Sequence, residues 1–225
     1  MTDINALRLA EALIFASATP IPLGVIAAQL PEGCPAIEDL VLDLSAHYAG
    51  RGVVLVRVGG GVMFRTAPDL ARFFTESSIE TRKLTRPSLE TLSIIAYHQP
   101  VTRAEIEEIR GVATSRGTLD ILLQTSWIRM RGRRRTPGRP VTYGTTKDFL
   151  TYFGLHTLAD LPGIDELQGA GFIEGRLPAG FTVPVPNDMP ALLPEEDALE
   201  EDVFDAMIDE RANTPDAPLN PEATS

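Results

Sequence analysis

A cluster of arginines is the feature of this sequence best suited to chemistry. Six of them fall within eleven residues, and no acidic residue lies between Asp120 and Asp148. The six are Arg129, Arg131, Arg133, Arg134, Arg135 and Arg139. Guanidinium groups bind phosphates and carboxylates, so the cluster predicts contact with nucleic acid or with an acidic protein partner. A solvated loop, paired with the acidic end of the same chain, is the alternative.

No other set of residues forms a pattern that favours catalysis. The glycines at 59–61 precede a β-rich run rather than a helix, which is typical of a hairpin turn and not of a phosphate loop. His47, His98 and His156 lie far apart, without the paired spacing of metal ligands. We therefore predict a protein that is not an enzyme, with no catalytic residue, metal or cofactor. A Ser/His/Asp site assembled only in space stays open at this point.

Length and composition predict a soluble, cytoplasmic protein with one large or two small domains. The chain has 225 residues, of which 44% are hydrophobic. Its apolar runs are shorter than the ~20 residues that a membrane span needs, and its first residues lack the pattern of a secretory signal. A single cysteine, Cys34, excludes an internal disulfide and a cysteine-based metal cluster.

Negative charge is concentrated at the end of the chain. Residues 176–225 carry twelve acids, two bases and eight of the 18 prolines, whereas residues 1–175 are nearly neutral. Such a composition predicts a mostly disordered tail over 166–225. Within it, acids at 195–197 precede apolar residues near helical spacing, which predicts a short helix over 195–210. That helix either has no partner or docks into a groove.

One pattern occurs twice in the first 165 residues. Hydrophobic spacing and turn residues predict helices, then a β-hairpin, in the order of a winged helix. In the first copy the helices are 6–17, 22–30 and 36–49, and the strands are 53–58 and 62–66. In the second copy the helices are 88–98, 102–110 and 115–125, and the strands are 127–131 and 141–145, followed by short closing helices at 147–154 and 158–161.

We predict a mainly α fold with small β-hairpin wings (α+β), made of two tandem winged-helix domains. Their boundaries are 1–80 for the first domain, 81–86 for a linker and 87–165 for the second domain. The first helix is apolar on more than one side, which predicts burial against a second subunit. The dimer-interface candidates are Leu7, Leu9, Ala10, Leu13 and Ile14.

The helices that would enter a DNA groove carry little that could read bases. The third helix of the first domain offers Glu38, Asp39 and Asp43, which would repel phosphates. Its counterpart in the second domain offers one arginine, Arg116, beside Asp120. Sequence-specific binding in the major groove is therefore not expected, and DNA contact by the arginine cluster, one of the alternatives above, would be weak and non-specific.

Two runs of the second domain resemble the segregation and condensation protein B family. They are QPVTRAEIEEIRGV at 99–112 and GRPVTYGTTKDFL at 138–150. The resemblance implies a non-catalytic, nucleoid-associated subunit of the bacterial condensin complex that pairs through its first winged-helix domain. It also implies binding to the kleisin subunit, segregation and condensation protein A, which bridges the SMC ATPase. The alternative function is a winged-helix DNA-binding regulator that uses the arginine-rich wing.

The resemblance indicates where kleisin contact is expected, namely the segments 99–112 and 143–154. The candidates there are Gln99, Pro100, Arg103, Glu107, Arg110, Tyr143, Phe149, Tyr152 and Phe153. Residues 113–116, Ala-Thr-Ser-Arg, depart from the family pattern, so we expect Arg116 to alter the pairing with the kleisin. The resemblance assigns no role to the acidic tail.

Overall fold

A computed structural model describes residues 2–73, 84–163, 166–167, 186 and 191–199. Two units, defined as residues 2–73 and 84–163, repeat the order of three helices followed by a β-hairpin. The first unit contains α1 (Thr2–Ala16), α2 (Leu23–Ala27), α3 (Ile37–Tyr48), β1 (Val53–Val58) and β2 (Gly61–Thr66). A 3-10 turn at Ala71–Phe73 ends it.

One face of α1 and one face of α3 pack against the hairpin to form the core of the first unit. The buried positions of α3, Leu40, Val41 and Leu44, recur at helical spacing. Ala10 and Ile14 of α1 lie in the same core. The β1–β2 pair is antiparallel with Val58 opposite Gly61, so residues 59–60 form the tight turn that the glycine run predicts.

The second unit has the same order with one added strand. Its elements are α4 (Arg86–His98), β3 (Val101–Thr102), α5 (Arg103–Arg110), α6 (Arg116–Gln124), β4 (Ile128–Arg134), β5 (Val141–Thr145) and α7 (Lys147–Phe153). A 3-10 turn at Leu158–Asp160 follows. Its core is a separate cluster of buried side chains, which includes Ile95, Ile106 and Leu122.

The sheet of the second unit has four strands in the order β3-β5-β4-β6, where β6 is Glu196–Ala198 from the end of the chain. All three pairings are antiparallel. In the outermost pairing, Gly132, Arg133 and Arg134 of β4 lie opposite Ala198, Asp197 and Glu196. β4, the arginine-bearing strand of the wing, is thus an inner strand of the sheet rather than a free edge.

The hairpin turn of the first unit contacts the segment that follows α7. The backbone N–H of Gly59 donates to the carbonyl of Leu155 at 2.9 Å, and that of Gly60 donates to His156 at 3.1 Å. A Cβ at position 59 would lie 2.6 Å from Thr151 Oγ1. Glycine therefore permits both the left-handed turn, with φ at +59°, and the close approach.

The described residues contain a helix or strand near each element predicted for the two units, with ends that differ by up to four residues. β3 was not predicted, because two residues are too few for a strand pattern. The predicted helix over 195–210 is wrong at its start, because 196–198 is a strand. Residues 200–210, and most of the tail predicted to be disordered, lie outside the described residues.

Candidate partner-binding surfaces

The segment 99–115 is organised by the capped start of α5 and its abrupt end. Thr102 Oγ1 accepts from the N–H of Glu105 at 3.3 Å, and Glu105 Oε2 accepts from the N–H of Thr102 at 2.7 Å. This reciprocal capping box satisfies two backbone donors that the helix itself leaves free. Gly111 ends the helix with φ at +71°, as expected of a glycine stop.

Three of the kleisin-binding candidates form a polar network beneath the turn after α5. Glu107 Oε1 accepts from Arg103 Nε and from the N–H of Thr114, both at 2.9 Å. Arg103 also donates to the carbonyl of Thr114 at 2.5 Å, and Arg110 donates to its hydroxyl at 3.2 Å. The Thr114 N–H and the Arg103 side chain hold the pKa of Glu107 below its ordinary range. Arg103, Glu107 and Arg110 thus fix the loop that leads into α6.

Four other candidates are buried or half-buried. Gln99 Oε1 accepts from the N–H of Thr145 at 2.5 Å, which joins the end of α4 to β5. Phe149 belongs to the core of the second unit. Tyr143 is half-buried, and desolvation raises the pKa of its hydroxyl. Pro100, also half-buried, follows Gln99 through a cis peptide bond. Gln99 and Phe149 are therefore structural, and direct contact with a partner is not expected of them.

The outer face of α7 presents an aromatic cluster. Tyr152 and Phe153 are 53% and 44% exposed, large fractions for aromatic side chains. The half-buried ring of Trp127 lies 4.3 Å from that of Tyr152 and 5.3 Å from that of Phe153, measured between centroids. Three packed rings with one open side form an apolar surface that a protein partner can bury. We name Trp127, Tyr152 and Phe153 the α7 aromatic cluster.

Most of the wing arginines are paired with acids, and several of these acids come from the end of the chain. Asp197 accepts from Arg135 Nε at 2.6 Å and from Arg139 Nη2 at 3.1 Å. Arg134 contacts Glu105 of α5 at 3.1 Å and Glu195 at 3.8 Å. The two arginines, Arg135 first, hold the pKa of Asp197 below its ordinary range. These contacts agree with the alternative prediction, in which the arginine-rich loop pairs with the acidic end of the same chain.

The buried side chain of Glu196 stabilises the contact between the wing and residues 195–197. Its carboxylate is buried, accepts from the hydroxyl of Thr142 at 2.6 Å and lies 3.9 Å from Arg131 Nη2. The Arg131 guanidinium, also buried, donates to the carbonyl of Ala191 at 2.7 Å. Arg131 is therefore unavailable to an external partner, which corrects its prediction as a DNA-contacting residue.

The two remaining wing arginines differ in their surroundings. Arg133 is half-buried and donates to the carbonyl of Arg139 at 2.9 Å. Arg129 is exposed at the other end of β4. Together with Lys147, it lines a cavity of about 380 Å³ between the hairpin turn of the first unit and α7.

The dimer-interface candidates divide between the core and the surface. Ala10 and Ile14 are fully buried within the first unit, so they are not available to a second subunit. Leu7 and Leu13 pack partly against that core. Leu9 is exposed, and it shares the outer side of α1 with Phe15, which is 80% exposed. α1 thus has exposed apolar side chains on its outer side, but of these two residues only Leu9 is among the predicted dimer-interface candidates.

None of the helices in the described ranges is both long and apolar enough to cross a membrane. Within residues 2–73, 84–163 and the short described segments beyond, no His, Cys, Asp and Glu side chains gather in a group of three that could hold a metal ion.

Comparison with known proteins identifies the family. The model of the family described as segregation and condensation complex subunit ScpB matches residues 8–164. This chain belongs to the ScpB family. Segregation and condensation protein B of Syntrophotalea carbinolica is 41% identical over 170 residues, covering 74% of this chain and 85% of the relative.

A further relative agrees with this assignment to the ScpB family. The segregation and condensation protein B homolog of Coxiella burnetii is 36% identical over 181 residues, covering 78% of this chain and 87% of its own. The crystal structure of ScpB from Mycobacterium tuberculosis is 29% identical, covering 67% of this chain and 95% of that one, with a TM-score of 0.31. The family match ends at residue 164, so it does not include residues 191–199, which contact the arginine-rich wing.

The sequence did not predict two features of the chain, namely a set of exposed apolar side chains on the second unit and the strand pairing of residues 196–198. Three large apolar side chains are each about half exposed, namely Leu89 on α4, Ile109 on α5 and Val112 in the turn after α5. A helical projection would not have found Ile109, because a residue three positions after the buried Ile106 is expected on the same helix face. The strand pairing of residues 196–198 with β4 was also missed, although ion pairing of the arginine loop with the acidic end of the chain was one of the alternatives. Opposite charges at 129–139 and 195–197 were its only signal, and charge alone does not specify a strand.

Proposed function

We propose that this chain is a non-catalytic scaffold subunit of the bacterial SMC condensin complex, built from two tandem winged-helix domains. Family membership supports a role in chromosome segregation and condensation. In this proposal the protein binds the kleisin subunit, which in turn connects it to the SMC ATPase. Its location is the cytoplasm, in association with the nucleoid.

The α7 aromatic cluster is the observation that best supports kleisin binding. It combines large exposed rings with a rigid support, because Phe149, one turn before Phe153 on α7, is held in the core. Rigid aromatic side chains lose little conformational entropy on binding and dominate many protein interfaces. The resemblance implies kleisin contact in the segment 143–154, and Tyr152 and Phe153 are exposed aromatic residues within it.

Light scattering after size exclusion tests the scaffold role. The chain is run alone and with its cognate kleisin, and we expect a stable complex of higher mass. Changing Tyr152→Ala and Phe153→Ala should weaken the complex at least tenfold. The control Phe73→Ala, which changes a more exposed aromatic residue of the first unit, should leave the complex intact. A chain that forms no complex with the kleisin at micromolar concentration would refute the proposal.

Dimerisation through the first unit is the second part of the proposal. Leu9 and Phe15 offer an exposed apolar surface on α1, beside the exposed Ala12 and Ala16. Burying such a surface against a second copy would stabilise the pair. The double variant Leu9→Ser and Phe15→Ser should be monomeric and remain folded, because neither side chain is part of the core. A wild-type mass of one chain at micromolar concentration would contradict dimerisation.

A winged-helix DNA-binding regulator gains no support. The exposed face of α3 carries Glu38, Asp39 and Asp43, and these carboxylates would face the DNA backbone. Asp120 occupies the corresponding helix of the second unit, α6. Sequence-specific readout needs several bidentate donors on such helices.

A further inference from the structure

Segment 191–199 covers a cationic surface that the scaffold role does not use. Arg135 and Arg139 extend from the loop between β4 and β5, and their side chains remain 60% and 54% exposed although both contact Asp197. Each guanidinium has five donors, so one carboxylate leaves most of them directed at solvent. These two arginines could bind further oxyanions on the same side of the wing.

The segment is held in place by groups other than the acids that neutralise these arginines. The N–H of Arg135 donates to the carbonyl of Glu195 at 2.9 Å, and β6 pairs with β4 along its backbone. The carboxylate of Glu196 is buried against Thr142 and Arg131. Docking and neutralisation thus depend on different side chains, because Glu195 and Asp197 point outward and Glu196 points inward.

Phosphates can displace Asp197 from Arg135 and Arg139, because these ion pairs are exposed to solvent. Ion pairs at the surface contribute little to stability, and they weaken further in salt. A duplex presents closely spaced phosphates, and its binding gains from the release of counterions. Asp197, held by the buried Glu196, competes with phosphates for the same two guanidinium groups.

We propose that the wing is a latent, sequence-independent binding surface for duplex DNA, which Glu195 and Asp197 of the docked strand mask. Arg135 and Arg139 supply the phosphate contacts. Glu196 keeps the masking acids in position. The backbone pairing of β6 with β4 also fits an acidic peptide as partner, but the two exposed guanidinium groups beyond the strand favour a larger polyanion.

Charge-neutral variants of the full chain separate masking from docking. The double variant Glu195→Gln and Asp197→Asn removes the outward acids and keeps Glu196. The matched control, Glu38→Gln and Asp39→Asn, removes the same two charges from the exposed face of α3. A third variant adds Arg135→Ala and Arg139→Ala to the unmasked one. Amide exchange at Arg135 reports whether the strand is still docked.

Binding is measured by fluorescence anisotropy with a mixed-sequence duplex of about 20 base pairs, over a series of salt concentrations. We expect the unmasked variant to bind about tenfold more tightly than the wild type. Its plot of log K against log salt should be steeper by about 1.8, the value for two additional phosphate contacts. The control should match the wild type, and loss of the two arginines should abolish the gain.

Three results would overturn the proposal. The first is equal DNA affinity of the unmasked variant and its charge-matched control. The second is a gain in affinity that survives the loss of Arg135 and Arg139. The third is tighter binding of poly-glutamate than of the duplex by the unmasked variant, which would assign the wing to an acidic protein partner.

Discussion

The carboxylate of Glu196 accepts a hydrogen bond of 2.6 Å from the hydroxyl of Thr142, although 54 residues separate the two in sequence. The same Thr142 hydroxyl accepts from the N–H of Gly132 at 3.2 Å. One side chain therefore joins three strands of the sheet, β4, β5 and β6. Residues 191–199 thus pack on the second unit through its sheet.

Loss of the Glu196 carboxylate should release the tail strand. Glu196→Ala leaves Arg131, whose side chain is 4% exposed, without a carboxylate, and breaking such a buried pair costs about 3 kcal/mol or more. Detachment of the strand relieves this cost. We expect the Arg135 amide to exchange about 100-fold faster, as measured by hydrogen exchange. Asp148→Asn, a change to an exposed acid on α7, is the control, and unchanged exchange in Glu196→Ala would contradict the assignment.

Gly132 tests the same contact through sterics rather than charge. A Cβ at this position would lie 2.5 Å from the carbonyl oxygen of Asp197 and 2.9 Å from Leu192 Cδ2. Gly132→Ala should therefore displace β6 from β4, with loss of Arg135 amide protection and no loss of the helical circular dichroism signal.

Gly117 provides the matched control for that change. It lies in α6, and a Cβ there would meet nothing within 4 Å. Gly117→Ala should raise the free energy of unfolding by about 0.5–1 kcal/mol, since alanine loses less conformational entropy in a helix. A Gly132→Ala chain with full Arg135 protection would show that the backbone accommodates the added methyl group.

Local signals in the sequence were sufficient for most of the two units. The spacing of Leu40, Val41 and Leu44 predicts α3, and the pair Thr102 and Glu105 predicts the start of α5, because both patterns depend on neighbours within one or two turns. Prediction failed for 196–198. Its acids favour the start of a helix locally, but pairing with β4 and burial of Glu196 determine its conformation, and both are long-range effects.

The same distinction explains the outcome at the candidate sites. Residue types and resemblance led to Gln99 and Phe149, but whether a side chain points inward depends on packing between elements. Ala10 and Ile14 were expected at an interface because α1 is apolar on several sides. The hairpin and α3 cover one of these sides, which only the tertiary fold determines.

The capping box of α5 gives a stability prediction that is independent of the tail. Thr102→Ala removes the acceptor for the Glu105 N–H and should lower the free energy of unfolding by about 1 kcal/mol, measured in urea. Thr102→Ser keeps the hydroxyl and should retain most of the stability. Equal losses in the two variants would mean that packing of the buried Thr102 methyl group, rather than the cap, is responsible.

The network around Glu107 predicts a dependence of stability on pH. Hydrogen bonds from the Thr114 N–H and from Arg103 lower the pKa of Glu107 below its ordinary value of 4.5. The folded state therefore favours the ionised carboxylate, and this contribution is fully present above pH 4.5 and is lost as the pH falls through the lowered pKa. Wild type should be more stable than Glu107→Gln near pH 7, and the difference between their urea midpoints should shrink as the pH falls below 4.5. A difference that stays constant over this range would mean that ionisation of Glu107 contributes nothing to the fold.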